Sequence, residues 1–351
     1  MTTWVFEGTV LPAGDAARLE FGTTGTTDAT GATDLLPGRF GVPGLVDSHC
    51  HLTVGTDELG PRLFGADFAS ERLGQLAAAG VSAVRDVGGD RSVTLKLAAT
   101  QDDARPVVLA AGRFLAPSGR YFSRMHEPVE PEDLLTAVGA ELDDGATWLK
   151  LVADFPAVGP DGPIRDSPME QTYPTELVRA VVELAHDRGA RVATHTNTEI
   201  VSDLIRVGVD SIEHGTSITE QDLEVLGARG GAWTPTLCAS VGARPDATPE
   251  QVKRRQAKSE YLASMLELAD RYGVRVLTGS DVVGTVAGEI DLLVKHGLTV
   301  SQALVAASTG AQDYLGLSGD GNLVTYDADP REHPEVLATP AAIVLNHRRI
   351  S

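Results

Sequence analysis

The sequence predicts an α/β protein whose main domain is a closed (β/α)8 TIM barrel. From about residue 41 to residue 316, short apolar strands alternate with helical segments. The strands are uniformly apolar, as expected when both faces are buried, and such alternation favours a parallel sheet. Eight units over about 275 residues fit a closed barrel better than an open doubly wound sheet. The first strand is followed by neither a GxGxxG nor a Walker motif, which disfavours a dinucleotide-binding fold.

The two ends of the chain differ in texture from this middle. Short strand-like segments separated by turn residues occur in TWVFEGTVLP and ARLEFGTTG near the start, and in GNLVTYDADP and AAIVLNHRRIS near the end. We therefore expect a small discontinuous β-sandwich domain made of residues 1–40 and 317–351, packed beside a barrel domain of residues 41–316.

The barrel elements follow in order along the chain. The predicted strands lie in GVPGLVDSH, VSAVRDVGG, PVVLAAG, TWLKLVAD, ARVATH, VDSIEHG, GAWTPTL and VRVLTGSD. Helical spacing marks ERLGQLAAAG, PEDLLTAVGAELDDG, YPTELVRAVVELAHDRG, TEIVSDLIRVG, TEQDLEVLGARG and PEQVKRRQAKSEYLASMLELADRYG, with two or three more helices up to about residue 315. Gly80 and Gly189 suit helix C-termini, and Pro131 suits a first helical turn.

Charge and cysteine content restrict the class of partner. The formal net charge is −20, from 49 acidic and 29 basic residues, and such a surface repels nucleic-acid backbones and anionic membranes. The two cysteines, Cys50 and Cys238, imply no disulfide framework and fit a reducing cytoplasm. The first residues lack the pattern of a signal peptide, and no apolar stretch reaches the roughly 18 residues of a membrane span. We expect a cytoplasmic protein that binds neither nucleic acid nor membranes.

Reactive side chains fall at the predicted C-terminal ends of the barrel strands, where (β/α)8 enzymes carry their chemistry. Residues i and i+2 of a strand point to one face, so His49 and His51 can share a metal ion. Any one of these residues alone would also suit a structural role, and Asp281 alone would suit a helix N-cap. Their joint placement predicts a metal site. The strand-end residues are His49 and His51 on strand 1, Lys150 on strand 4, His195 on strand 5, His214 on strand 6 and Asp281 on strand 8.

Imidazole and carboxylate ligands suit zinc, and also iron or manganese. A catalytic metal keeps one position open for water and lowers the pKa of that water, which supplies a hydroxide nucleophile.

Taken together, these segments resemble the metal-dependent amidohydrolase superfamily. GLVDSHCHL is similar to its strand-1 signature and AAAGVSAVRDVGG to its strand-2 segment, while WLKLVAD, VATHTN, DSIEHGT and TGSD resemble its lysine, histidine and aspartate segments. DSIEHGT together with VRDVGG is closer to the imidazolonepropionase-like and Xaa-Pro or Xaa-Arg dipeptidase branch.

The resemblance implies a role for each ligand. His49, His51 and Asp281 would hold the more buried ion, and His195 and His214 would hold a second. Lys150 would be carbamylated and bridge two divalent ions, zinc in the first place. An unmodified Lys150 beside a single ion is the alternative, as in imidazolonepropionase-like members. A lysine in an apolar strand is costly unless it is modified or paired.

The expected reaction is hydrolysis of an amide or peptide C–N bond by a metal-bound hydroxide, with Asp281 as the catalytic proton shuttle. The expected substrate is peptide-like or an N-acyl amino acid, including a modified peptide trimmed in natural-product biosynthesis. A mononuclear cyclic-amide hydrolase or deaminase-like enzyme is one alternative, and a non-catalytic metal-binding scaffold is another. Family behaviour suggests a homo-oligomer.

Candidate substrate residues lie mainly in the loop RFLAPSGRYFSRMHEP after strand 3. An arginine fork suits a substrate carboxylate, and two aromatic residues suit an apolar wall. Asn197 stands where the dipeptidases often carry an aromatic residue or a second histidine. The candidates are Arg113, Arg120, Tyr121, Arg124, His126, Asn197 and Trp233.

Overall fold

Eight parallel strand segments surround the centre of the computed structural model, which describes residues 3–22, 33–100, 102–160, 162–164, 166–243 and 247–351. Each segment lies where the apolar runs predict it, so the predicted barrel is confirmed. The barrel strands are numbered strand 1 (Leu45–Cys50), strand 2 (Val81–Asp86), strand 3 (Val107–Ala110), strand 4 (Trp148–Val152), strand 5 (Arg191–Thr196), strand 6 (Ser211–His214), strand 7 (Ala232–Thr234) and strand 8 (Arg275–Val276).

The hydrogen bonds of the barrel fall into two sheets. Strands 1, 2 and 3 form a three-strand sheet, while strands 4 to 8 and the short segment Phe114–Leu115 form a six-strand sheet. Strand 1 meets the chain after strand 8 through Ser48 N–H donating to Thr278 O (2.9 Å) and Asp281 N–H donating to His49 O (2.7 Å). The two sheets are therefore joined beside the residues that end strand 1.

A bend at Gly112 divides the third barrel segment between the two sheets. The chain leaves strand 3 after Ala110 and pairs with strand 4 at Phe114–Leu115. Gly112 has φ +74°, and a Cβ there would lie 2.0 Å from Oε2 of Glu141. That carboxylate is buried and is held by Arg91 Nε at 2.9 Å and Arg113 Nε at 2.5 Å. The bend thus requires glycine for its conformation and for its space.

Replacing Gly112 by alanine is expected to lower the free energy of unfolding by roughly 2–4 kcal/mol, because left-handed strain and a clash with a fixed carboxylate add. Gly145 provides a matched control, with φ +95° and nothing within 4 Å of the position that a Cβ would take. Gly145→Ala should cost only the left-handed strain, roughly 1–2 kcal/mol. Urea denaturation of both variants measures the difference, and equal losses would contradict the clash.

Helices follow most of the barrel strands. Pro249 opens the longest helix, and Thr248 caps it reciprocally with Gln251, which gives the predicted long helix a firm start. The helices are α1 (Ala66–Ala78), α2 (Arg91–Ala99), α3 (Leu134–Asp143), α4 (Thr175–Asp187), α5 (Val201–Arg206), α6 (Glu220–Ala228), α7 (Leu237–Ser240), α8 (Pro249–Arg271), α9 (Val286–Lys295), α10 (Val300–Ala307) and α11 (Thr309–Leu315), with 3-10 turns at Pro131–Asp133 and Pro334–Ala338. No helix in the described part of the chain is both long and apolar enough to cross a membrane.

Helix α2 is not among the helices that the sequence predicts. Its sequence, RSVTLKLAA, is rich in residues with modest helix propensity. Asp90 accepts a hydrogen bond from Ser92 N–H at the helix start, and Thr94 and Leu95 are buried against the barrel. Packing and this cap stabilise a helix that spacing alone does not show.

Both ends of the chain contribute strands to one sheet of seven within the described residues. Phe40–Val42 pairs with Thr3–Val10 on one side and with Leu323–Tyr326 on the other. It spans the predicted domain limit between residues 40 and 41, and the limits themselves stay a prediction. Residues 23–25 of the predicted segment ARLEFGTTG lie outside the described residues. The remaining strands of this sheet are Asp15–Phe21, Thr33–Leu35, Ala342–Leu345 and Arg348–Arg349.

Short hairpins cover the end of the barrel at which the strands terminate. Val54–Asp57 pairs with Gly60–Leu63 just after strand 1. Two more pairs follow strand 4, namely Asp154–Phe155 with Glu170–Gln171 and Val158–Gly159 with Gly162–Pro163.

Candidate functional site

Three predicted ligands converge at the junction of strand 1 and the chain after strand 8. One potential ligand atom from each of His49, His51 and Asp281 lies within 4.8 Å of the others. Nε2 of His51 is 3.4 Å from Oδ1 of Asp281, and Cys50 bridges to Asp281 in parallel register. Both imidazoles are buried, whereas the Asp281 side chain is 17% exposed. This arrangement can hold a cation with one side open.

Each imidazole of strand 1 is oriented through its Nδ1 atom. His49 Nδ1 lies 2.7 Å from Oε2 of Glu213, and His51 Nδ1 lies 2.8 Å from the carbonyl oxygen of Gly88. These oxygens accept hydrogen bonds, so each Nδ1 donates and each Nε2 keeps its lone pair. Nε2 of His49 is buried without a hydrogen-bond partner among the described atoms. A metal ion would satisfy it.

His214 and His195 bring a second pair of imidazoles against the first. The ring centroids of His195 and His214 are 4.4 Å apart, and those of His49 and His214 are 5.1 Å apart. Nδ1 of His214 donates to Oγ1 of Thr236 at 2.6 Å, and that hydroxyl donates to the carbonyl of Pro235. Nε2 of His214 is thereby left as an acceptor.

Asn197 contacts a predicted ligand directly. Its side-chain amide lies 3.1 Å from Nε2 of His195 and 2.9 Å from the hydroxyl of Thr216. The buried carboxylate of Asp154 orders this loop, because it accepts from the Thr196 hydroxyl at 2.6 Å and from Asn197 N–H at 2.9 Å. The side chain that departs from the family pattern therefore orients the strand-5 histidine.

Lys150 lies in the apolar wall of strand 4, opposite Phe114 and Ala193. It is 2% exposed, and its Nζ has no hydrogen-bond partner among the described atoms. Burial lowers the pKa of Lys150 to about 8. Its charge also contributes to the low pKa of His49, so the two groups are neighbours. A buried ammonium without a partner is unfavourable, and this environment favours the neutral amine or a modified lysine.

Electrostatics leave the ligand set in its metal-binding form near neutral pH. Burial, assisted by the charge of Lys150, lowers the pKa of His49 to about 4 and that of His195 to about 3, while burial holds the pKa of His214 well below its usual value. Burial would raise the pKa of Asp281, but its hydrogen bond with His51 and the nearby histidines outweigh this effect and hold that pKa low. Neutral imidazoles surrounding an ionised carboxylate suit a divalent cation.

A buried ion pair supports His49 from behind. Glu213 accepts from Arg85 Nη2 at 2.7 Å and from the Ser211 hydroxyl at 2.6 Å, in addition to its contact with His49. Arg85 also donates to the carbonyl of Ser48 and lies 4.3 Å from the ring centroid of Trp148. Burial would raise the pKa of Glu213, but Arg85 more than offsets this effect, so the carboxylate stays ionised. The sequence places Glu213 at the end of strand 6, but sequence reasoning gives it no role.

Three non-glycine residues of the site adopt left-handed backbone conformations. Their φ values are +65° for His214, +44° for Thr236 and +54° for Asp281. Such conformations cost about 1–3 kcal/mol each and concentrate at functional sites. They mark the ends of strands 6, 7 and 8 as a site built for geometry and not for stability.

A pocket of about 1230 Å³ opens onto this cluster. His195, His214 and Asp281 form its floor, and Asn197 lies beside them. The N-terminal half of α8 forms a wall that sequence reasoning missed. Basic residues at helical spacing in PEQVKRRQAK were the available signal. The lining residues of α8 are Gln251, Arg254, Arg255, Lys258 and Tyr261.

The arginines predicted to bind substrate each have an acidic partner in the structure. Arg124 forms two hydrogen bonds with Asp57 at 2.8 and 2.6 Å. Arg120 pairs with Glu170, and Arg113 pairs with Glu141, as described above. None of the three is among the residues that line the 1230 Å³ pocket. Their role toward substrate stays a prediction.

The other predicted substrate residues are largely buried. Tyr121 packs against Phe155 at a ring distance of 4.9 Å, and burial followed by the charge of Asp281 raises its pKa, which places it near the cluster. His126 Nδ1 donates to the carbonyl of Phe122. Trp233 is fully buried, and its Nε1 donates to the carbonyl of His214 at 2.8 Å.

Comparison with known proteins places this site in a family. Residues 40–325 match the family model described as the amidohydrolase family. The chain belongs to the amidohydrolase family. The family predicted from the motifs is thus confirmed, and this amidohydrolase is a hydrolase that acts on C–N bonds. The family is generally metal-dependent, in agreement with the convergence of His49, His51 and Asp281.

Individual relatives span nearly the whole amidohydrolase chain. An uncharacterized protein of Mycobacterium tuberculosis is 30% identical over 352 residues, covering 93% of this chain and 90% of its own. An imidazolonepropionase of Micrococcus luteus is 26% identical over 367 residues, covering 92% and 86% respectively. The solved structure of a Xaa-Pro dipeptidase with methionine bound in its active site has a TM-score of 0.79 at 20% identity, covering 99% of this chain and 100% of its own. That structural likeness shows a shared fold.

Proposed function

We propose that this amidohydrolase cleaves an amide or peptide C–N bond with the help of one or two divalent metal ions, zinc in the first place. The observation that carries the proposal is the pair of buried atoms without hydrogen-bond partners, Nε2 of His49 and Nζ of Lys150, within a ring of oriented imidazoles. The proposed ligands are His49, His51 and Asp281 for one ion, and His195 and His214 for the other, with carbamylated Lys150 between them.

Carbamylation of Lys150 fits its surroundings. The neutral amine adds to carbon dioxide, a C–N bond forms, and a proton leaves to solvent, so the product is an anionic carbamate with two oxygen donors. A pKa near 8 makes the neutral amine accessible at physiological pH. Because burial disfavours the ammonium form, the carbamate also removes a charge mismatch beside four imidazoles once cations are bound.

The chain's own groups have distinct tasks in the proposed reaction. A bound divalent metal polarises the scissile carbonyl and lowers the pKa of water. Asp281 is ionised and lines the pocket, so it can accept the proton of the attacking water and return it to the leaving nitrogen. Glu213 and Thr236 hold His49 and His214 in one tautomer each.

The expected substrates are peptide-like compounds or N-acyl amino acids. The Xaa-Pro dipeptidase that shares the fold binds methionine in its active site, which favours a peptide-like substrate. Trimming of a modified peptide in a biosynthetic route, and assembly into a homo-oligomer, stay predictions.

A mononuclear cyclic-amide hydrolase is the second candidate. The imidazolonepropionase of Micrococcus luteus among the relatives favours it. The two candidates differ at Lys150, because an unmodified amine beside one ion fits the second and a carbamate between two ions fits the first. Native mass measurement of the metal-loaded protein should show the added mass of one carboxyl group, absent in Lys150→Met.

Removal of metal tests the proposal as a whole. Chelation followed by dialysis is expected to lower hydrolysis of the best substrate by at least about 100-fold, and zinc, manganese or iron should restore it. Metal content before and after treatment gives the stoichiometry, and the substrates are a panel of dipeptides, N-acyl amino acids and cyclic amides. Full activity of the metal-free protein would contradict metal-dependent catalysis. Failure to cleave any member while fully metal-loaded would favour the non-catalytic scaffold.

A further inference from the structure

One face of helix α8 changes character along its length. Residues 251, 255, 258, 262, 265 and 269 recur at alternating spacings of four and three, which places them on a single stripe of the helix. In the C-terminal half, Leu262, Met265 and Ala269 of this stripe are buried in the barrel core. In the N-terminal half, the same stripe presents Arg255 and Lys258, and both line the pocket above the histidine cluster. The inward face is thus basic where the helix passes over the cavity.

The charge of this wall is opposite to that of the protein. The chain carries a net charge of −20. Among the described residues that line the pocket, Arg254, Arg255 and Lys258 are basic, and Asp281 is the one carboxylate. Asp281 belongs to the proposed metal centre, so the outer wall itself is basic. A basic wall in an acidic protein attracts anions to this opening.

Helix α8 is held in place by contacts from several sides. The Tyr261 hydroxyl donates to the carbonyl of Ile218 at 2.8 Å, which ties the helix to the loop after strand 6. Ser259 hydrogen-bonds with His296 at 2.7 Å, and Arg255 donates to the carbonyl of Gly242. The basic stripe is therefore a fixed wall. Lys253, by contrast, is exposed on the same helix and does not line the pocket.

We propose that the N-terminal half of α8 is a binding subsite for a carboxylate carried by the substrate, away from the amide bond that is cleaved. This inference rests on the proposed function and specifies its substrate class. Arg255 and Lys258 supply charge-assisted hydrogen bonds to the carboxylate, while the substrate amide lies toward His195, His214 and Asp281 on the pocket floor. The pocket of about 1230 Å³ accommodates a carboxylate at one end and an acyl or peptide group at the other.

Matched pairs of compounds test the subsite. N-acetyl amino acids are compared with their carboxamides, which differ only in the negative charge, both as substrates and in calorimetric binding to the metal-loaded protein. We expect the wild-type protein to prefer the acids, and Arg255→Gln and Lys258→Gln each to lower the acid-to-amide ratio of kcat/KM about 10- to 100-fold, mainly through KM. Lys253→Gln is the matched control and should change the ratio by less than about twofold.

A charge of opposite sign gives a test that does not depend on truncating a long side chain. Gln251 shares the stripe, and its side chain accepts a hydrogen bond from Thr248 N–H at 2.9 Å. Gln251→Glu keeps this capping interaction and adds a negative charge beside the subsite. It should weaken binding of the acids relative to the amides while leaving the melting temperature unchanged.

The outcomes separate failure of the subsite from failure of the proposed function. Equal use and equal binding of acids and amides by wild type, or ratios in Arg255→Gln and Lys258→Gln that match Lys253→Gln, would overturn the subsite. Tighter binding of phosphonate analogues than of the carboxylates would overturn the assignment to a carboxylate. If acids bind with the predicted charge dependence yet no compound is hydrolysed, the subsite stands and the proposed function fails.

Discussion

Asp281→Asn is expected to lower kcat by about 100- to 10,000-fold, the range that general acid–base catalysis contributes. The carboxylate of Asp281 is ionised, lies 3.4 Å from His51 and lines the pocket, so it is the proton acceptor in the proposed hydrolysis. Asparagine tolerates the left-handed conformation at φ +54°, so the backbone should persist while the proton acceptor is lost.

The measurement is steady-state kinetics on the best substrate, together with metal content of the same samples. Asp291→Asn is the matched control, because Asp291 is an exposed partner of Lys295 on α9. A variant that keeps its metal and loses turnover supports the proposed role of Asp281. Near-wild-type turnover in metal-loaded Asp281→Asn would contradict it.

Arg85→Met is expected to lower the free energy of unfolding by about 3–5 kcal/mol, the usual cost of leaving one member of a buried ion pair alone. Arg85 and Glu213 are fully buried and 2.7 Å apart, and Arg85 is the main group that counteracts the effect of burial on the pKa of Glu213. Without Arg85, the carboxylate behind His49 would take up a proton more readily and would orient that ligand less firmly.

Urea denaturation of metal-free protein measures the effect of Arg85→Met, so that bound ions do not contribute. The double variant Arg85→Met with Glu213→Gln removes both charges and should recover part of the lost stability. A loss below about 1 kcal/mol in the single variant, typical of exposed ion pairs, would show that the pair is not buried as described.

The eight barrel strands could be predicted from sequence because each is a short apolar run between polar turns. Helix α2 could not, since RSVTLKLAA lacks a strong helical pattern and depends on the Asp90 cap and on packing. The division of the third segment at Gly112 depends on where Glu141 lies in space, and sequence spacing does not encode that position.

The metal ligands could be predicted because strand-end positions share one rim in any (β/α)8 barrel. The pocket walls could not, because a loop's charge has no meaning without its neighbours. Arg124 looked available in sequence, yet Asp57, far away along the chain, is its bidentate partner. Conversely, Arg255 and Lys258 looked like an ordinary solvated helix face until the structure placed that face over the cavity.

The division of the barrel into two sheets has a mechanical consequence for the metal centre. His49 and His51 end the three-strand sheet, His195 and His214 belong to the six-strand sheet or its end, and hydrogen bonds near Asp281 join the two. An ion bound by this set would act as a cross-link across the seam. Because it binds only the assembled ring, it would make the two sheets unfold as one cooperative unit. Metal loading would then determine not only whether the enzyme turns over but whether its barrel opens along this seam.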